Sequence, residues 1–176
     1  MAAPHASLAL PAEASPRFST TGGGGTADLR QVARYTVPPS DTVGFVKSWI
    51  GPKGGVVRFP GNFVIEVPAG AVDRVTMFEI HVSRSGPENG YVVGEFKPHQ
   101  NFLRTVFVEL PLKNTTAEGG AASVLWWNSA SASWVNVGGT ATRDGQRVRT
   151  EVKHFSTYAT TGNGASAGST TLTAGG

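Results

Sequence analysis

Nine short apolar runs, each closed by turn-forming residues, restrict what this chain can fold into more than any other feature. They cover residues 43–50, 63–67, 75–82, 91–96, 106–112, 123–127, 133–137, 147–152 and 157–160. Each is four to eight residues long and rich in Val, Phe, Trp and Thr. Gly-Pro-Lys-Gly-Gly, Pro-Gly-Asn, Pro-Ala-Gly-Ala, Ser-Gly-Pro-Glu-Asn-Gly and Asp144-Gly145 fall between them. Short strands at this spacing, punctuated in this way, predict an all-β chain folded as an antiparallel sandwich or barrel. Gly (23 residues) and Pro (11) argue further against a helical bundle. Asp144-Gly145 predicts a tight hairpin of the type that needs positive φ at both central residues.

Alternation tells which side chains turn inward, because neighbours along a strand face opposite ways. Phe78, Ile80 and Val82 share one face, and Met77, Glu79 and His81 the other. Val148, Thr150 and Val152 point in, whereas Arg147, Arg149, Glu151 and Lys153 point out. Continued unchanged, this pattern buries His154 and exposes Phe155. A bulge or kink near 154–156 would re-aim both.

The ends read differently. Residues 1–28, with the run Gly22 to Gly25, read as a flexible leader, and 161–176 as a Gly/Ser/Thr tail too poor in apolar residues to fold. The domain is placed at 29–160. No signal peptide is legible in the first residues, and no stretch approaches the roughly 18 apolar residues of a membrane span.

Several function classes lose support on composition. The net charge is only +3, from 15 basic and 12 acidic residues. The densest basic stretch, Arg143, Arg147, Arg149 and Lys153, is interrupted by Asp144 and Glu151 and reads as a solvated face, so no nucleic-acid partner is expected. There is no cysteine, hence no disulfide, thiolate site or Cys nucleophile. His5, His81, His99 and His154 share no ligand spacing, so neither a metal nor a cofactor is expected. Trp49, Trp126, Trp127 and Trp134 read as packing residues or, alternatively, as a sugar-binding face.

Two motifs carry a family resemblance over residues 48–160. The first is Ile50-Gly51-Pro52-Lys53-Gly54-Gly55 leading to Val64-Ile65-Glu66-Val67-Pro68-Ala69-Gly70-Ala71. The second is His154-Phe155-Ser156-Thr157-Tyr158-Ala159. Between them stand Phe96-Lys97-Pro98 to Phe102 and the tryptophans Trp126, Trp127 and Trp134. In this order they resemble the ZU-five domain of ankyrins, tight-junction scaffolds, netrin receptors and many bacterial surface and secreted proteins. The resemblance implies a sandwich that binds other proteins, outside the cell or on its surface. Because some ZU-five proteins cleave themselves between the Phe and Ser of this tripeptide, it also implies a candidate scissile bond between Phe155 and Ser156.

Two roles are open to the tripeptide. In one, Ser156 Oγ attacks the Phe155 carbonyl, an N→O acyl shift breaks the C–N bond to give an ester that water hydrolyses, and His154 accepts the Ser proton or protonates the leaving amine. Backbone strain of roughly 4 kcal/mol would quicken such a step by about 10³. In the other, His154 packs, Phe155 caps the core and Ser156 begins the last strand. The reading that follows is a non-catalytic structural or protein-interaction module of a bacterial secreted or surface protein, not an enzyme. The alternatives are self-cleavage at Phe155–Ser156 and, second, a carbohydrate-binding module. The expected partner is an unidentified protein, or a second copy joined through a sheet edge.

Overall fold

The computed structural model describes residues 31–37, 44–82 and 90–162, and among them there is no α-helix. The strands are β1 (Gly44–Ile50), β2 (Gly55–Phe59), β3 (Phe63–Val67), β4 (Thr76–Val82), β5 (Val93–Lys97) and β6 (Asn101–Pro111). They continue with β7 (Val124–Asn128), β8 (Ser133–Asn136), β9 (Thr140–Ala141), β10 (Arg147–His154) and β11 (Thr157–Thr160). Two antiparallel sheets pack face to face. One runs β1-β4-β5-β11-β7-β8 and the other β2-β3-β6-β10-β9.

The core is the shared interior of the two sheets. Phe78, Ile80 and Val82 of β4 face Phe63, Ile65, Val106, Val108 and Val148 of the opposite sheet, all essentially sealed from water. Both alternations expected for β4 and β10 hold along their lengths. Phe63 crosses toward β5 and takes the space beside Gly94, where an added Cβ would lie 2.9 Å from its ring. A smaller apolar cluster lies on the other side of the six-stranded sheet, where Trp127 and Trp134 meet edge to face at 5.3 Å beside Val93, Leu125 and Ala159.

Two loops are tied by main chain. Gly70 N–H donates to the Pro52 carbonyl at 2.8 Å, so the Pro-Ala-Gly-Ala corner closes on the loop between β1 and β2. Residues 31–37 lie against the domain through bridges Val32↔Thr161, Arg34↔Tyr91 and Tyr35↔Thr115.

The structure differs from the sequence reading in places. The Asp144-Gly145 hairpin exists, but Gly145 (φ 65°) is left-handed there and Asp144 is not. Gly145 N–H closes the turn onto the Thr142 carbonyl at 2.8 Å, and Asp144 Oδ1 accepts from the Thr142 hydroxyl at 2.6 Å. This is the longer hairpin loop with one left-handed residue, not the two-residue turn. Strands β2 and β9 lie outside the expected runs, and β6 begins at Asn101, five residues before its run. Thr161 is buried and Gly162 N–H donates to the Gln31 carbonyl at 2.7 Å, so both still belong to the domain. The leader at 1–28, and the tail beyond residue 162, lie outside the described residues.

Candidate functional site

His154, Phe155 and Ser156 form the step by which the chain leaves one sheet and enters the other. β10 belongs to the five-stranded sheet and β11 to the six-stranded one, with only Phe155 and Ser156 between them. β10 pairs with β6 in register from Arg147↔Pro111 to Val152↔Val106, then the register shifts and the next pair is His154↔Asn101. Four residues of β6, 102–105, thus stand opposite the single Lys153. This irregularity sits immediately before the tripeptide and resolves the anomaly in the sequence: Phe155 is buried at 1% exposure and His154 is half-exposed.

Phe155 fills the middle of an aromatic group. Its ring lies 4.7 Å from Phe102, 5.8 Å from Phe78 and 6.0 Å from Phe96. Tyr158 packs on Phe96 at 5.7 Å, and its hydroxyl donates to the His154 carbonyl at 2.7 Å, tying the crossover to β11. Ser156 is buried. Its hydroxyl donates to the Trp127 carbonyl at 3.4 Å, and its own carbonyl accepts from Phe96 N–H at 2.9 Å. The His154 ring stands edge to face with Trp126 at 5.1 Å, where the indole Nε1 is buried without an acceptor.

The Ser156 hydroxyl is engaged by the Trp127 carbonyl and the His154 ring by Trp126. Among the described residues the one cis bond precedes Pro98, and the left-handed non-glycine residues are Asn62, Asn114 and Ala132. None of these falls on 154–156. The four tryptophans do not share a face. Trp127 and Trp134 are buried in the second cluster, Trp126 packs partly against the main core, and Trp49 stands exposed on β1.

A charged group that sequence reasoning did not find lies on the outside of the five-stranded sheet. Glu109 is 6% exposed, within an otherwise apolar run of β6. Arg149 Nη1 donates to Glu109 Oε1 at 2.6 Å and to Glu66 Oε2 at 2.8 Å. Arg147 Nε forms an ion pair with Glu109 Oε2 at 2.8 Å, outside hydrogen-bond alignment, and Arg147 Nη2 donates to Asp144 at 3.1 Å. The Arg149 guanidinium also covers the Phe107 ring at 3.9 Å. The hydrogen bond from Arg149 holds the Glu66 carboxyl below its ordinary range, and Arg149 is itself raised, first by that same bond. No sequence signal marks this group, because it depends on the register: Glu109 is opposite Arg149 on β10 and Val64 on β3. Both arginines are thus paired with carboxylates. An open groove of about 450 Å³ runs beside them, between Phe107, Val137, Thr140 and Glu151.

Among the described residues no group of three His, Asp or Glu is placed to hold a metal ion, and no helix is long and apolar enough to cross a membrane. No family model matches this chain, and no curated protein does.

Proposed function

We propose that the domain is a non-catalytic structural or protein-interaction module, ZU-five-like, of a bacterial secreted or surface protein. The observation that carries this reading is the use made of the tripeptide. Phe155 is locked among Phe78, Phe96 and Phe102, and the Ser156 hydroxyl is directed at the Trp127 carbonyl. Residues so occupied serve packing, since catalysis at this bond needs the hydroxyl and a base aligned on the Phe155 carbonyl. The secreted or surface setting rests on the sequence resemblance alone.

Self-cleavage between Phe155 and Ser156 is the rival, supported by the ladder break just before the tripeptide. Intact-mass measurement after denaturation, following days at neutral pH, separates the two. The expected result is one species at 18.3 kDa. Two fragments meeting at Phe155–Ser156, absent from Ser156→Ala, would overturn the non-catalytic reading.

A further inference from the structure

β1 is the outer strand of the six-stranded sheet, paired on one side to β4 over all seven of its residues without a bulge. Among the described residues no strand pairs with its other side, so alternate N–H and C=O groups there have no ladder partner among them, the arrangement onto which another strand adds. The remaining edges are shorter: β2 has five residues, β8 four and β9 two.

The outward side chains of β1 are Phe45, Lys47 and Trp49, two residues apart. Phe45 is 62% exposed and Trp49 68%. Behind them on β4, in register, stand His81, Glu79 and Met77. The His81 ring stacks on Phe45 at 5.4 Å and its Nε2 engages the Glu79 carboxylate. Glu79 is the residue opposite Lys47, and its carboxylate contacts His81 rather than forming an ion pair with the lysine. Lys47 forms no ion pair among the described residues. The edge therefore presents a ring, an exposed ammonium and a second ring along about 13 Å of strand.

Charge decides between occupants. A second copy using the whole strand in antiparallel register sets Lys47 against Lys47, and like charges directly opposite destabilise a pair. We propose that β1 instead accepts an extended, antiparallel segment of a partner protein. That segment carries a carboxylate opposite Lys47 and apolar side chains two residues to either side, against Phe45 and Trp49. An edge that recruits a partner in this way deepens the interaction role proposed above and rests on it.

The test uses the full chain and two fluorescein-labelled nine-residue peptides, followed by fluorescence anisotropy at low salt. Both alternate threonine with a face of valine, a central charge and valine. One has aspartate at the centre and the other lysine. The expected result is saturable binding with the aspartate peptide preferred about fivefold, the preference inverting in Lys47→Glu. Lys47 is exposed, so this variant keeps its fold, checked by circular dichroism. No saturation by either peptide, or a preference that does not invert, overturns the proposal. So does a dimer in light scattering that Trp49→Ser abolishes, which assigns the edge to a second copy. A shift of Trp49 emission on a polysaccharide, with neither peptide bound, assigns it to sugars and also overturns it. Peptide failure on a chain of intact mass removes the edge proposal alone. Fragments at Phe155–Ser156 remove the non-catalytic reading, and peptide binding is then read on Ser156→Ala.

Discussion

Phe155 is the residue on which most of the interior converges. It touches rings from β4, β5 and β6 at the point where the chain changes sheets. Phe155→Ala would leave a cavity that three aromatic walls cannot collapse into, and should destabilise the domain by about 3–5 kcal/mol in urea unfolding. Ser156→Ala removes the long hydrogen bond to the Trp127 carbonyl and should cost about 1 kcal/mol. Equal losses for the two variants would show that Phe155 is not the packing centre. Much of this was legible: the clash between alternation and residue type at His154 and Phe155 called for a local irregularity. Its place, at Lys153, was not, because the extra residues belong to β6 and only pairing reveals them. Glu109 was hidden for a related reason. A carboxylate within Phe107-Val108-Glu109-Leu110 reads as a surface residue of a strand, and its arginine partners lie about forty residues further on.

Among the elements, β3, β6 and β10 are bound by side chains as well as by their ladders. Glu66, Glu109, Arg147 and Arg149 span all three strands. The Glu66 carboxyl titrates lower in the folded chain than in the unfolded one, through its bond from Arg149. Its contribution is therefore complete above the ordinary carboxylate range, near pH 4–5, and is lost as the pH falls through the lowered folded value. Asp144 shifts in the same direction, first through the Thr142 hydroxyl, and adds to the same acid-side loss. Glu66→Gln should lower the melting temperature slightly at about pH 7 and leave it unchanged near pH 2, making the fall between them shallower; the step is small because Glu66 is half-exposed. An unchanged acid slope, by calorimetry, would mean that Glu66 plays no part in it. At this scale the sequence marked most strands but missed β2. Gly55-Val56-Val57-Arg58-Phe59 lies between two Gly/Pro turns and is too short to declare its period.

For the whole molecule, strand order was the least legible property. β11 inserts between β5 and β7, and β1 pairs with β4, so neighbours in space are often far apart in sequence. Apolar periodicity gives the faces of strands and says nothing of such partners. One feature of this arrangement reaches beyond the domain. Val32 bridges Thr161, and the Gln31 carbonyl accepts from Gly162 N–H at 2.7 Å, so the first and last described residues leave side by side. A short linker would join them without strain, and the chain could be reopened at the exposed Ala130–Ser131 tip between β7 and β8. Such a circular permutant should keep the fold. By the same geometry the whole unit can be spliced into a surface turn of a host protein, parting the host's backbone by little more than the width of a strand pair.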